Sequence, residues 1–340
     1  MIGLTSPLRG SESRAAQPSS LCEVLRWIAG DTFHWLRNGH HHYPPAPGEE
    51  SFTDMNIRHL RQFMDRRVKV FQFNKDQERR NGSDLEMWIH DGSHGVGLRI
   101  QAKKASRAGS YPFDHVVKKQ NAYQCDLLVQ HAQVVGCVPV YLLYNHWSWD
   151  GGDEVEASQK GLLCDHLAPD GSHQGCTLLS GYRVQSEIGR KLDGYNVRHK
   201  VLWGESLSWN RVLCDRRAPG NSSPRFSRDI LNDVFTSVRG LTLMGQDRSP
   251  EHSAEPTPSH RRWGETAYAN APYADGVDAT VAVPEEGPDR LPSHVLRLIE
   301  THEAEPPPPP VPTMATVLVD VRDDRAQKPA KPFEGCVRRR

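Results

Sequence analysis

Four polar side chains, Asp84, Glu86, Gln101 and Lys103, stand in GSDLEMWIHDGSHGVGLRIQAKK at a spacing that suits chemistry. Asp84 and Glu86 are two residues apart, as are Gln101 and Lys103. On a strand, that spacing puts both members of a pair on one face. DGSHG at 91–95 is turn chemistry between two strand-forming runs, so 84–103 reads as a β-hairpin. Leu85, Met87 and Ile89 then point the other way, as do Leu98, Ile100 and Ala102. One face of the hairpin gathers two carboxylates, an amide and an ammonium. The opposite face supplies a core.

A hard divalent cation such as Mg²⁺ takes oxygen ligands and keeps several waters, so two carboxylates plus an amide or main-chain oxygen suit it. Such an ion makes a bound water more acidic and stabilises charge on a phosphate. A neighbouring lysine can orient that water or stabilise an anionic transition state. These residue types fit phosphodiester hydrolysis with Mg²⁺ or Mn²⁺. The competing reading needs no metal. Polar pairs facing each other across a hairpin are common and contribute about 0.2–1 kcal/mol each.

The elements that position the hairpin follow from periodicity. Leu21, Val24, Leu25 and Ile28 repeat at helical spacing, with Trp35 and Leu36 extending that face. GHHHYPPAPGEE reads as a loop. A second helix is expected from Thr53 as N-cap, with Ile57, Leu60 and Met64 on one face. Val68–Phe73 reads as a strand. Tyr111–Pro112 is expected to open a long helix carrying Val116, Tyr123, Leu127, Leu128, Ala132 and Val135. VPVYLLY at 138–144 fits a strand buried on both faces. After a surface loop (DGGDEVEASQK), segments at Cys176–Val184, Val201–Trp203 and a helix at Ile230–Val238 complete the same domain. The fold class is therefore α/β, with a mixed central sheet flanked by helices.

Asp84, the hairpin and Gln101-Ala102-Lys103 resemble the D…(E/Q)xK core of the restriction-endonuclease-like, or PD-(D/E)XK, superfamily. Gln101 in place of the second acid departs from the name-giving motif and matches the QxK form of Mrr-like branches. EESFTD upstream, GSDLEMWI, IQAKK and the later VPVYLLYN also resemble an uncharacterised microbial family assigned to that fold. The resemblance spans roughly residues 21–215. It implies that Asp84 is the central metal ligand, that Gln101 offers its carbonyl oxygen and that Lys103 is the catalytic lysine. A helix acid joins such sites. Glu50 matches it, and Glu49 is an equally placed competitor. Glu86 would restore the carboxylate that Gln101 lacks. The implied function is a Mg²⁺-dependent nuclease acting on DNA. The alternatives are a nuclease-like module that binds or scaffolds without catalysis, and a hydrolase of another phosphate ester.

Composition bounds the rest. The chain has 340 residues, with 42 basic and 42 acidic side chains, so no whole-chain basic footprint for nucleic acid exists, although a local basic groove stays open. Mean hydropathy is −0.64, low for a chain folded from end to end. Residues 1–20 read as a flexible leader, 21–245 as the folded domain, and 246–340, with PPPPP at 306–310, as a mostly disordered Pro-rich tail in which the short islands Leu296–Ile299 and Thr316–Val321 are able to order locally. No apolar run long enough to cross a membrane occurs and the N-terminus lacks a signal-peptide pattern, so an intracellular, cytoplasmic protein is expected. The seven cysteines, with no CxxC, read as reduced thiols.

Weaker candidates have bland readings. His40, His41 and His42 read as a solvated loop. Gln120 and Gln124, one helical turn apart, read as a solvated helix edge near the site. Trp147, Trp149, Trp203 and Trp209 read as packing residues, although a base-stacking platform uses the same side chains.

Overall fold

The computed structural model describes residues 20–41, 46–64, 67–72, 83–118, 120–146, 171–214, 227–246, 288–300, 313 and 315–322. In chain order the elements are α1 (Leu21–His41), α2 (Glu49–Phe63), β1 (Val68–Gln72), β2 (Leu85–His90), β3 (His94–Lys104), β4 (Val116–Val117), β5 (Ala122–Tyr123), α3 (Gln124–Val135) and β6 (Val138–Tyr144). They continue with a 3-10 turn (Ser172–Gly175), β7 (Cys176–Ser180), α4 (Gly181–Leu192), α5 (His199–Gly204), β8 (Leu207–Ser208), α6 (Trp209–Val212), α7 (Ser227–Gln246), β9 (Asp289–Arg290), α8 (Ser293–Glu300) and β10 (Ala315–Asp320).

Among the described residues, eight strands form one mixed sheet in the order β1-β10-β2-β3-β6-β7-β8, with β9 pairing beside β3. The hairpin forms as expected, with Leu85 opposite Ile100 and Met87 opposite Leu98. Its turn is built locally. Asp91 Oδ1 accepts hydrogen bonds from the main-chain N–H groups of Ser93 (3.0 Å) and His94 (2.8 Å). Gly92 takes the positive φ of 94° that disfavours a side chain. Opposite Trp88 stands Gly97, where a Cβ would lie 2.6 Å from the indole, so the indole packs directly on the backbone of β3. β3 continues through α3 into β6, which pairs with it in parallel.

The sheet is covered on both faces. Leu85, Met87, Ile89, Leu98, Ile100 and Ala102 all enter one core cluster, as the alternation requires, with α1, α2 and α7 above them. The other face carries Tyr141, Leu143 and Leu179 under α3, α4 and α5. Trp88 and Leu318 pack there against Ala132 and Val135 of α3 and Val295 and Leu298 of α8. Every residue of β2 is buried, including Glu86 and His90 on the face opposite Leu85, Met87 and Ile89.

Three expectations are corrected. Thr53 is not a helix cap. α2 begins a turn earlier at Glu49, and the Thr53 hydroxyl instead bonds the Glu49 carbonyl (3.2 Å) and the Tyr144 hydroxyl (2.9 Å). The helix expected from Tyr111–Pro112 begins only at Gln124. Before it, Val116–Val117 pairs with Ala122–Tyr123 in a small hairpin, which the run of apolar residues at near-helical spacing concealed. The largest correction concerns the domain boundary at 245. β10 is no appendage. It lies inside the sheet, antiparallel to β1 and parallel to β2, and Ala315, Val317 and Val319 are fully buried. α8 covers the same sheet. Proline content marks a tail, but it is insensitive to a six-residue strand, which needs only ATVLVD to insert. Residues 247–287, 301–312, 314 and 323–340, like nearly all of the leader, lie outside the described residues, as do Trp147, Trp149 and the DGGDEVEASQK loop. Trp203 and Trp209 are buried, as expected of packing residues. No described helix is long and apolar enough to cross a membrane.

Candidate functional site

The site forms where the far end of β3 meets the first turn of α2. Lys104 fastens the two. Its main-chain N–H donates to Glu49 Oε2 (3.0 Å), and its ammonium donates to the Pro47 carbonyl (2.7 Å). Glu49 and Glu50 occupy the helix N-terminus, where unpaired N–H groups and the helix dipole favour negative charge. A pocket of about 230 Å³ opens there. Glu49, Glu50 and Thr53 of α2 line one side, and Asp84, Gln101 and Lys103 of the hairpin line another. His115 and Gln124 close it from the segment entering α3.

Asp84 precedes β2, and its Oδ2 accepts from Gln101 Nε2 (2.6 Å) and from the Ala102 main-chain N–H (2.8 Å). The Gln101 amide nitrogen also donates to the Ala102 carbonyl (3.1 Å), and its Oε1 accepts from Gln124 Nε2 (2.8 Å). The amide polarity follows from these neighbours. A carboxylate and a carbonyl only accept, so the –NH₂ group must face them and the carbonyl oxygen must turn to Gln124. At the far end of this chain Gln124 Oε1 is buried without a hydrogen-bond partner. The Lys103 ammonium is almost fully buried and sits 3.7 Å from Glu49 Oε1, an ion pair rather than a hydrogen bond.

Asp84, Gln101, Lys103 and Glu50 therefore share one pocket, and Glu49 shares it with them. Glu49 is the acid that touches β3, whereas Glu50 is exposed at the rim. Glu86 is not part of the site. It lies on the expected face but further along β2, fully buried, and three groups claim it: Arg99 (2.8 Å), the Trp88 indole N–H (2.8 Å) and His294 Nε2 (3.0 Å). Burial opposes its charge. The His294 hydrogen bond, Arg99 and Trp88 outweigh burial and hold the carboxyl below its usual range. The expectation that Glu86 supplies a second metal-binding carboxylate is thus corrected, because alternation fixes the face of a side chain but not its position along the strand. Gln124 belongs to the site itself rather than to a solvated helix edge. His115 carried no signal in the sequence, since an isolated histidine in a loop has no periodicity or spacing to mark it.

Among the described residues no three His, Cys, Asp or Glu side chains gather closely enough to hold a metal ion. Mg²⁺ does not require three, because it is held by one or two carboxylates and keeps its waters. Asp84, an acid of α2 and the Gln101 carbonyl oxygen fit that ion by donor type, and the pocket has room for water. To offer its oxygen, the Gln101 amide must turn over and release Gln124.

The fold and the pocket define an α/β protein with a mixed sheet and a mixed-charge site at the end of a central hairpin. The chain belongs to a family of unknown function, DUF6615, whose model matches residues 21–326. That match runs from the first residue of α1 past the end of β10, the same span as the core. No curated protein matches the sequence.

Proposed function

We propose that this protein is a Mg²⁺-dependent nuclease that hydrolyses DNA phosphodiester bonds in the pocket between β3 and α2. The observation that carries this reading is the convergence of Asp84, Gln101 and Lys103 with the acids of α2 around one cavity. The order of α2, the β2–β3 hairpin, α3 and a parallel β6 supports the resemblance to restriction-endonuclease-like proteins. Asp84 and Glu50 would hold the ion, with Glu49 able to exchange Lys103 for it. When bound, the ion supplies an acidified water and charge stabilisation. Lys103 places a fixed positive charge beside the reacting phosphate. Its stem is buried, so little freedom remains to be lost when the phosphate arrives. Gln124 orients Gln101, and Gln101 orients Asp84.

One observation favours a second reading, a binding module without catalysis. Asp84 Oδ2 is already occupied by two N–H donors, as it would be in a purely structural pair. The deciding experiment measures cleavage of single- and double-stranded DNA with Mg²⁺, with Mn²⁺ and with EDTA, alongside Mn²⁺ calorimetry. The nuclease reading requires metal-dependent cleavage that Asp84→Asn abolishes while the melting temperature holds. Intact DNA with every ion, together with no Mn²⁺ binding, rejects it.

A further inference from the structure

Charge is balanced over the whole chain but not along two segments, one of which supplies pocket residues. Residues 103–118 hold Lys103, Lys104, Arg107 and Lys118 against Asp114 alone. Residues 183–200 hold Arg183, Arg190, Lys191, Arg198 and Lys200 against Glu187 and Asp193. The fold joins these two segments. Asp114 pairs with Lys191 at the end of α4. The Tyr111 main-chain N–H donates to His199 Nδ1 (3.2 Å), and the Phe113 ring stacks on His199 at 5.9 Å. The next residue after Asp114 is His115, which lines the pocket. The two segments therefore adjoin, from His115 at the pocket to the α4–α5 connection.

Within this face, the fully buried Glu187 carboxylate accepts from Arg183, Arg190 and Arg198. It fixes the last two guanidinium groups at the surface, where they are 30% and 44% exposed. Arg190 in turn lies over the Tyr195 ring at 5.1 Å, and Tyr195 is 60% exposed. An exposed aromatic ring backed by a guanidinium, in a segment that also carries Lys191 and Lys200, costs solvation and contributes nothing to a core. It has the composition of a surface that stacks bases and tracks phosphates.

We infer that the face formed by residues 103–118 and 183–200 binds single-stranded or locally unpaired nucleic acid, with Tyr195 stacking an unpaired base and Lys118 and Lys200 contacting phosphates. The inference rests on the nuclease reading for its purpose, since it leads a strand to the pocket, but binding is measurable without cleavage. A duplex keeps its base faces stacked inside, so Tyr195 makes the face selective for unpaired nucleotides.

The test uses the full chain in EDTA with short fluorescein-labelled oligonucleotides, read by anisotropy across a salt series. Single strands should bind more tightly than the blunt duplex of the same sequence. Lys118→Glu combined with Lys200→Glu should weaken binding at least tenfold and reduce the salt slope by about 1.4, since each phosphate that is no longer neutralised removes about 0.7. Tyr195→Ala should weaken single-strand binding about tenfold, leave the salt slope unchanged and remove the preference over duplex. Glu187, Arg190 and Arg198 are left intact in both variants, so the fold is not at risk. Wild-type binding without any metal-dependent cleavage would sink the nuclease reading and leave the face standing. Cleavage with both variants binding like wild type would overturn the face and leave the nuclease reading. Sedimentation with anionic vesicles and no oligonucleotide binding would overturn it as well.

Discussion

The His294 imidazole donates to the Glu86 carboxylate at 3.0 Å, across 208 positions of sequence. The same carboxylate meets Arg99 on the neighbouring strand. α8 is therefore tied to the hairpin by a buried polar contact, while β10 is tied to it by main-chain pairing with β2. Removing residues 246–340 takes both away, uncovers Trp88 and opens the edges of β1 and β2. A chain ending at 245 should lose its cooperative thermal transition and aggregate, since exposed strand edges invite pairing. A circular-dichroism melt coinciding with that of the full chain would refute the placement of β10.

Breaking the Glu86–Arg99 pair from one side should be severe. Both side chains are completely buried, so Glu86→Ala strands a guanidinium without its counter-charge. A loss of about 3–5 kcal/mol is expected in urea denaturation. Glu86→Leu with Arg99→Met should recover much of it, because replacing both partners removes the desolvation cost as well as the attraction. A single variant as stable as wild type would show that the pair contributes nothing.

Lys103→Met should separate binding from chemistry. A lysine does not ligate Mg²⁺, so Mn²⁺ affinity by calorimetry should stay within a few-fold of wild type. Cleavage should slow by about 10²–10³, the typical cost of one preorganised electrostatic interaction. An unchanged rate would remove Lys103 from the proposed reaction.

Gln101→Glu sets a second carboxylate against Asp84, where the wild type has a 2.6 Å hydrogen bond. Two carboxylates at that separation need a shared proton or a cation. The variant should melt below wild type in EDTA and gain more than wild type on adding Mn²⁺, with cleavage preserved or raised. Equal shifts for both proteins would mean that no cation sits between residues 84 and 101.

Glu187 carries a pH signature. Burial opposes its ionisation, but hydrogen bonds from Arg198 and Arg183 outweigh burial and bring its pKa from 4.5 to about 2. A pKa depressed in the folded state means stability that is complete above the unfolded value. It is lost as pH falls from about 4.5 through about 2. Glu187→Gln should flatten the acid limb of the stability curve in that window. A limb of unchanged steepness would place the acid sensitivity elsewhere.

Alternation and turn chemistry are enough to read the hairpin, its apolar face and the placing of Asp84, Gln101 and Lys103 at one pocket, because strand geometry projects directly onto sequence with a period of two. VPVYLLY is legible as a doubly buried strand because its apolar run is continuous and short. Tertiary structure alone decides what those strands pair with and where along them a side chain ends up. Glu86 has the right face and the wrong neighbours, and its partner His294 arrives on a helix that no local pattern connects to the hairpin. Which of Glu49 and Glu50 touches β3 depends on where Lys104 anchors the helix, a contact between elements rather than within one. The Thr316–Val321 island is visible in the sequence, but its place as β10 inside the sheet is not, because a strand inserted between two others is defined by its neighbours' open hydrogen-bonding edges. Those edges exist only once β1 and β2 have been brought side by side.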